Sequence, residues 1–359
     1  MRARANDDCI VFNGHIETRT DCPPDLRLCF VVKHARTKRI GIVLLQLLVT
    51  TAGLWYVFHD PQRRVQIAEA LRHAGLRWVL LGWICYSVVE VLATVRWQIL
   101  LRLQGVRISW LRAGAIVIIG LFFNQFLPGG VGGDAMRLYL IFKQAPQRKV
   151  GAGLSIAMDR LFGLLTVVFL ATVSFCLRFK LLIRASPSRH IALLAFILLS
   201  ASLAFVVVLF WMVNSGLLHH LPKRTPFRKA IINSGKALLC YRTHLLVMAC
   251  VFLITVIAHL AYYSTFYCAG KSLLTSTGHA ASLIDIWSIM PLVDTIISVP
   301  VSLGGVGVRE TLFQELLGTL AHVPPALAAF TASVGFAIQA CWGFVGAAVF
   351  LLSQKIISR

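Results

Sequence analysis

Acidic residues are rare in this chain, and charged residues of either sign are sparse. The 359 residues include 14 Asp and Glu against 35 Lys and Arg, and charged residues make up only 14% of the sequence. A soluble globular protein is typically about 25% charged. Since 58% of the residues are also apolar and the mean hydropathy is +0.77, the composition excludes an ordinary soluble protein. It predicts an all-α polytopic membrane protein.

Motifs of the common enzyme classes are missing as well. The sequence has no GxSxG, HExxH or Walker A motif and no dinucleotide-binding fingerprint, so no catalytic nucleophile, zinc site or nucleotide site is indicated. The nine cysteines form no CxxC pair and no metal-binding spacing with His, which argues against a disulfide framework. We therefore expect no enzymatic activity, no catalytic residues, no cofactor and no bound metal.

The net charge of +21 would suggest a nucleic-acid partner if the chain were soluble. Here the basic residues lie mostly in short segments between apolar runs, where they orient helices and meet anionic headgroups. The sequence therefore predicts no nucleic-acid binding. Residues 1–39 hold eight Lys and Arg against five acids and lack the apolar core of a signal peptide. They are interpreted as a basic cytoplasmic tail that is poorly ordered.

The apolar runs predict how often the chain crosses the membrane. A span needs roughly 20 apolar residues. Two apolar segments, 108–136 and 283–320, are interrupted by Pro and several Gly, and such breaks are tolerated in a bilayer only where they line a cavity or are buried in protein. We predict six full spans plus two Pro/Gly-broken re-entrant hairpins, with eight spans as the alternative. The six uninterrupted runs are 40–58, 77–95, 151–177, 190–213, 245–268 and 325–352.

The two halves of the membrane region align with each other. Residues 40–177 and 178–359 each contain three runs of spanning length and one broken segment. An odd number of spans gives the two halves opposite orientations, which predicts an inverted-topology repeat with the substrate site at the broken segments. The basic linker 214–244 is predicted to be cytoplasmic, and so are both termini.

Both broken segments contain glycine-rich stretches that resemble each other, at 128–137 and 300–310. Successive glycines expose backbone N–H groups, and a helix that starts at Asp134 would favour an anion such as phosphate at its N-terminus. Arg137 would then add a bidentate contact. Alternatively, the glycines permit tight helix crossings, and Asp134 caps the helix and pairs with Arg137. The presence of a second copy favours a binding site, but the residues alone leave both interpretations open.

Asp159 and Arg160 are adjacent charges within one predicted span. Charges at membrane depth face a partner or a polar cavity, since exposure to lipid costs roughly 2.5–3.5 kcal/mol. One interpretation is structural, with an ion pair between Asp159 and Arg137 or between Arg160 and Asp294. The other is direct contact with a ligand. Gly163, one turn further along, is expected to allow close approach of a neighbouring helix.

Other charges near span ends receive different interpretations. Glu90 lies within the second span, whereas Arg96 and Trp97 at its end resemble an interfacial anchor. Asp285 and Glu315 lie closer to the predicted ends of their segments and are expected to be solvated.

At these motifs the chain resembles the transmembrane region of lysylphosphatidylglycerol synthases, also described as a flippase-like domain family. The resemblance extends over about 40–350 and implies movement of lipid between leaflets. The soluble aminoacyltransferase domain of the fused synthases is not found in this sequence, so aminoacylation is not expected. Stand-alone members are associated with several lipids, including polyprenyl-linked sugars. The residues that carry the resemblance are Arg96-Trp97, Asn124, Phe126-Leu127-Pro128, Gly129-Gly130, Gly132-Gly133-Asp134, Arg137, Asp159-Arg160, Gly163, Pro300, Ser302, Gly304-Gly305, Gly307 and Arg309-Glu310.

The leading hypothesis is a flippase or transporter of the bacterial inner membrane that moves a phospholipid or polyprenyl-linked lipid. The alternative is a non-transporting membrane subunit that holds lipid or docks a separate glycosyltransferase or aminoacyltransferase. An intramembrane enzyme acting on a lipid-linked substrate is a third reading, although no nucleophile–base pair is visible. The residues predicted to bind substrate are Asn124, Gly129, Gly130, Gly132, Gly133, Asp134, Arg137, Asp159, Arg160, Asp294, Gly304, Gly305, Gly307, Arg309 and Glu310.

Overall fold

The computed structural model of the chain places residues 45–359 in one compact unit. The predicted tail at 1–39 and nearly all of the predicted span at 40–58 lie outside the described residues. Apart from seven isolated positions before residue 74, the structure describes 74–126, 132–184, 186–215, 241, 244–273, 281–299 and 302–357.

Every regular element within the described residues is helical, which confirms the predicted all-α class. Two short 3₁₀ turns, Pro146–Arg148 and Leu303–Gly305, join longer helices. The helices are α1 (Leu76–Leu103), α2 (Trp110–Phe126), α3 (Gly132–Gln144), α4 (Lys149–Arg184), α5 (Ser186–Asn214), α6 (Leu245–Leu273), α7 (Leu283–Ile297), α8 (Val308–Ala321) and α9 (Pro325–Ile357).

Helices of spanning length occur where the apolar runs predicted them. The predicted run at 190–213 falls within α5 (Ser186–Asn214), whereas the predicted run at 40–58 lies almost entirely outside the described residues. The count of six spans therefore stays a prediction. Four helical stretches in the described part of the chain are long and apolar enough to cross a membrane: Leu76–Leu103, Pro146–Arg178, Leu245–Leu273 and Pro325–Leu352.

Both Pro/Gly-rich segments are broken, as predicted. The first forms α2 and α3, with 127–131 between them outside the described residues. The second forms α7, the 3₁₀ turn and α8, and its glycines turn the chain with φ of 58° at Gly304, 78° at Gly305 and 86° at Gly307. A side chain rarely adopts this left-handed backbone region, so glycine is required there.

The start of α7 shows how the local sequence begins a helix. The backbone N–H of Asp285 donates to the Ser282 hydroxyl at 3.2 Å, and the backbone N–H of Ser282 donates to the Asp285 carboxylate at 3.0 Å. This reciprocal cap satisfies two N–H groups that the helix itself leaves unpaired.

Many large apolar side chains lie on the outside of this protein, and several charged side chains lie inside it. Leu246 and Leu352 expose 85% and 77% of their surface, whereas Arg309 and Glu310 are buried. In water such an exposed apolar surface would promote aggregation, but it suits contact with lipid. The distribution therefore agrees with a multi-pass membrane protein.

The two halves pack with matching neighbours. The most extensive helix pair is α1 with α6, which occupy equivalent places in the two halves. If α1, α2, α3 and α4 are matched with α6, α7, α8 and α9, contacts in one set recur in the other. Within the sets, α1–α2, α1–α4, α2–α3 and α3–α4 correspond to α6–α7, α6–α9, α7–α8 and α8–α9. Between the sets, α2–α9 corresponds to α7–α4, and α1–α9 corresponds to α6–α4. The 3₁₀ turn of the second broken segment also contacts α2 of the first.

Two apolar clusters hold these helices together. One lies mainly in the first half and includes Trp97 and Ile119. The other lies mainly in the second half and includes Phe266, Ile289 and Phe313. Charged groups occupy the region between and beside the clusters, where the broken segments begin and end.

Candidate functional site

Asp159 of α4 is the centre of a buried group of charges. Nε of Arg96 donates to Oδ1 of Asp159 at 2.6 Å, and Nη1 of Arg137 donates to Oδ2 at 3.0 Å. The side chains come from α1, α3 and α4, so one carboxylate links three helices. The pair between Asp159 and Arg137 confirms the structural interpretation of the sequence. We call Arg96, Asp134, Arg137, Asp159 and Arg160 the first charged cluster.

Asp134, at the start of α3, completes this cluster. Arg160 forks onto its carboxylate, with Nε to Oδ2 at 2.6 Å and Nη2 to Oδ1 at 2.7 Å. Nη1 of Arg137 lies 3.7 Å from Oδ1 of Asp134, which confirms the predicted i,i+3 pair. The predicted pairing of Arg160 with Asp294 is wrong, because Asp134 takes the Arg160 guanidinium.

The predicted role of Arg96 and Trp97 as an interfacial anchor is also wrong. Helix α1 continues to Leu103, so both residues lie inside the helix and face the protein. Trp97 is fully buried, and its Nε1 donates to the Ser155 hydroxyl at 3.1 Å. The guanidinium of Arg137 lies 4.6 Å from the centre of the Trp97 ring, a cation–π contact strengthened by the absence of water.

Arg160 differs from the other arginines of the cluster because 52% of its side chain is exposed. It lies well inside the apolar stretch Pro146–Arg178. Contact with lipid there would be costly for a guanidinium, so the exposed face of Arg160 indicates an aqueous opening. Asp134, which pairs with this guanidinium, exposes only 16% of its side chain.

Glycines at the first broken segment bring helices close together. A Cβ on Gly133 would collide with the carbonyl oxygen of Gly120, and a Cβ on Gly120 would lie 2.8 Å from Cγ of Arg137. The tight-crossing interpretation therefore accounts for Gly133, while Gly132 is partly buried at the start of α3. The predicted residues Gly129 and Gly130 lie outside the described residues.

Gly163 does not allow the close approach that was expected of it. A Cβ built at this position would have no atom within 4 Å among the described residues. The prediction took the small residue to be a packing site, but none of the described helices crosses there.

Arg309, at the start of α8, is the centre of the second charged cluster, which also contains Asp294 and Glu310. Its guanidinium is buried and donates one hydrogen bond, from Nη2 to the Gly304 carbonyl at 3.1 Å. The carboxyl of Asp294, partly buried on α7, lies within its electrostatic range. Its Nε and Nη1 have no hydrogen-bond partner among the described residues. An unpaired guanidinium nitrogen inside a protein is expensive, which points to a ligand.

Two aromatic rings lie beside this guanidinium. Cζ of Arg309 lies 5.1 Å from the centre of Phe336 and 5.7 Å from the centre of Phe266. A Cβ built on Gly304 would lie 3.4 Å from the ring of Phe336, and one built on Gly305 would lie 3.4 Å from Nη2 of Arg309. The rings interact favourably with the guanidinium but do not neutralise its charge.

Glu310 has a structural role in the second cluster. Its carboxylate accepts a hydrogen bond from the Gly307 N–H at 2.6 Å and another from the Ser333 hydroxyl at 3.1 Å. It therefore caps the N-terminus of α8, a position that would otherwise favour binding of an anion. Since the Glu310 carboxylate is occupied in this way, Arg309 is the one of these two adjacent residues that can still bind a ligand.

Buried amide oxygens without partners lie near the meeting point of the two broken segments. They belong to Asn124 and Gln125 at the end of α2 and to Gln339 on α9. The side-chain nitrogen of Gln125 donates to the backbone carbonyl of Gln339 at 3.2 Å. The backbone carbonyl oxygen of Gln125 lies 3.8 Å from a Cβ built on Gly304. Only Asn124 of these three was predicted, because uncharged amides in apolar runs carry little signal in the sequence.

Glu90 and Tyr86 of α1 connect the two clusters. The Glu90 carboxyl lies near the Tyr86 hydroxyl and within electrostatic range of Arg137 and Arg96. Tyr86 in turn interacts with Gln339 and with Arg309. Tyr86 was not predicted, although its position one helical turn before Glu90 places both on the same face.

Asp285 is not solvated, contrary to expectation. Its carboxylate accepts a hydrogen bond from Nη2 of Arg178 at 2.8 Å, and only 14% of its side chain is exposed. The pair connects α7 to α4 at a point where α4 departs from helical geometry, with φ of −112° at Arg178. Glu315 is partly buried on α8.

Thiol labelling tests the aqueous opening at Arg160. In a variant whose nine cysteines are replaced by serine or alanine, Arg160→Cys is expected to react with a membrane-impermeant methanethiosulfonate. Ser155→Cys, on the same helix but fully buried, is the matched control and is expected to remain unmodified. Equal protection of both positions would mean that Arg160 faces no water.

Fold and site together define a polytopic helical membrane protein with two broken segments and two clusters of buried charge. The family model described as lysylphosphatidylglycerol synthase TM region matches residues 43–347. The chain therefore belongs to this family, which confirms the resemblance found in the sequence.

Three relatives are UPF0104 membrane proteins of archaea. The protein of Pyrococcus horikoshii is 26% identical over 140 residues, which are 38% of each chain. The protein of Methanocaldococcus jannaschii is 25% identical over 183 residues, 51% of this chain and 52% of its own. The protein of Methanothermobacter thermautotrophicus is 22% identical over 146 residues, 40% of each chain. The matched stretches span between 38% and 52% of the length of these relatives.

Proposed function

We propose that this protein moves a lipid with an anionic, phosphate-containing headgroup between the leaflets of a membrane. The observation that carries the proposal is the buried guanidinium of Arg309, two of whose nitrogens have no acceptor among the described residues. A phosphate oxygen is the acceptor that an arginine favours, and it accepts charge-assisted hydrogen bonds. The unpaired amide oxygens of Gln125 and Gln339 would accept from hydroxyl or ammonium groups of the same headgroup.

The two clusters would have different tasks. The guanidinium groups of Arg96 and Arg137 are already bonded to Asp159, so this part of the first cluster holds helices in place. Arg160 is partly exposed and lies at the opening, where it would meet the headgroup first. Arg309 would bind it deeper in the protein while the acyl chains stay in the bilayer.

The matching neighbours of the two halves support an inverted-topology repeat of 40–177 and 178–359. Each contact among α1, α2, α3 and α4 has a counterpart among α6, α7, α8 and α9, and the pair α1–α6 joins equivalent helices. In such repeats, rocking of one half against the other opens the site to either side in turn. We propose this motion for the present chain.

We further propose that the protein resides in the bacterial inner (plasma) membrane with both termini in the cytoplasm. The linker 214–244 holds six Lys and Arg, and basic loops of this length remain on the cytoplasmic side.

A leaflet assay in proteoliposomes tests this function. We expect the purified chain to move fluorescent phosphatidylglycerol between leaflets faster than protein-free vesicles do. Arg309→Gln is expected to lower the rate about tenfold or more, because a hydrogen bond to a charged group contributes roughly 1.5–3 kcal/mol. Arg178→Gln, which removes an arginine outside both clusters, is the control and should retain the rate.

The same assay distinguishes lipid movement from the alternative function, a non-transporting membrane subunit. If the wild-type chain moves no lipid but co-purifies stoichiometrically with a glycosyltransferase or aminoacyltransferase, a lipid-holding membrane subunit is the better description. If it moves lipid and Arg309→Gln is as fast as wild type, the assigned headgroup site is wrong.

A further inference from the structure

Glu90 occupies a position that lipid binding at Arg309 does not explain. It lies in the middle of α1 and is 7% exposed, between the first charged cluster and the residues around Arg309. A carboxylate at such a position in a membrane protein needs a counter-charge or a proton.

The nearest cations are already committed to another acid. Arg96 and Arg137 both donate to Asp159, while Glu90 forms no salt bridge with any residue that the structure describes. One helical turn away lies the neutral hydroxyl of Tyr86, which supplies no counter-charge. A negative charge on Glu90 is therefore only partly compensated, and uptake of a proton removes that cost.

The surroundings of Glu90 reach both clusters. Helix α1 packs against α2, α4, α6 and α9. The ring of Tyr86 meets that of Tyr262 edge-on at 6.2 Å. Several charged and titratable groups surround Glu90. Arg96 of α1 and Arg137 of α3 interact with it directly. Tyr262 of α6 and Arg309 of α8 interact with its neighbour Tyr86, and Asp159 of α4 pairs with the two arginines.

We propose that Glu90 is a proton-binding site that couples lipid movement to a proton gradient. The step is the addition of one proton from water to the carboxylate, which gives a neutral carboxylic acid, and its later release to water on the opposite side. Protonation adds one positive charge to the region between the clusters. It therefore favours an anionic headgroup at Arg309, and by reciprocity the headgroup favours the proton. This coupling rests on the proposed function, whereas the proton site itself does not.

Infrared difference spectroscopy on the purified full-length chain tests the proton site without any transport. Titration of wild-type protein in nanodiscs is expected to show the carbonyl stretch of a protonated carboxyl group that is absent from Glu90→Gln. Glu315→Gln, a carboxyl outside both clusters, should keep the band. Identical difference spectra for wild type and Glu90→Gln would overturn the proposal. Should Glu90→Gln fail to fold, Tyr86→Phe, which removes the neighbouring hydroxyl one helical turn away, must shift the band.

Proteoliposomes with an imposed pH gradient test the coupling. We expect the gradient to change the wild-type rate of phosphatidylglycerol movement, within the range of about 5- to 150-fold that coupled sites show. In Glu90→Gln the ratio of rates with and without the gradient should fall to about one, while Glu315→Gln retains the wild-type ratio. Wild-type movement that ignores the gradient refutes the coupling but leaves lipid movement standing. A wild-type chain that moves no lipid refutes the proposed function, and the infrared band still decides the proton site.

Discussion

Asp159→Asn is expected to lower the free energy of unfolding by about 3–5 kcal/mol, the cost of breaking a buried ion pair by removal of one partner. The carboxylate of Asp159 receives hydrogen bonds from Arg96 and Arg137. An amide keeps the shape but leaves both guanidinium groups without their counter-charge. The measurement is the thermal unfolding midpoint of the purified protein in detergent.

Two further variants make this prediction specific. Asp285→Asn also removes an ion pair, but its partner Arg178 is partly exposed, so the expected loss is about 1 kcal/mol or less. The double variant Asp159→Asn/Arg96→Gln should regain part of the stability, because it removes one of the stranded charges. If Asp159→Asn and Asp285→Asn have the same thermal unfolding midpoint, the first charged cluster does not hold the helices in place.

Gly346→Ala is expected to destabilise the protein by about 2–3 kcal/mol, at the upper end of the usual cost of overpacking. The added Cβ would collide with the backbone carbonyl of Ile118 and lie 3.2 Å from Cβ of Phe122. A backbone atom cannot move aside as the end of a side chain can. Helices α2 and α9 would have to separate, and the yield of monodisperse protein together with its melting midpoint would report this.

Gly163→Ala is the matched control, since it makes the same change in a helix where a Cβ has open space around it. There the better helix propensity of alanine should be neutral or stabilise the protein by up to about 1 kcal/mol. Equal melting midpoints for the two variants would contradict the close contact between α2 and α9.

The sequence predicted the helices well because their signal is local. A run of apolar residues is both the cause of insertion and the feature that can be read, so α1, α4, α6 and α9 were found. The breaks were found because Pro and Gly act on their own backbone. Helix ends were less certain, and placing the end of α1 at residue 95 turned Arg96 and Trp97 into a supposed anchor.

The site was predicted only in part because its contacts join distant parts of the chain. Pairing of Asp159 with Arg137 was one of two alternatives, and the choice depended on how α3 and α4 cross. The partner of Arg160 was missed for the same reason. Tyr86 and Gln339 were missed because a single uncharged polar residue in an apolar run is too common to mark a site.

The turn at Gly304, Gly305 and Gly307 has a consequence for the proposed lipid site. With positive φ at all three positions, its backbone has the handedness that D-amino acids prefer. Evolution cannot add an L side chain there without strain, so a headgroup bound at the proposed site would meet peptide groups of fixed character. Selectivity among lipids would then depend on side chains beside the turn, such as those of Gln125 and Phe336.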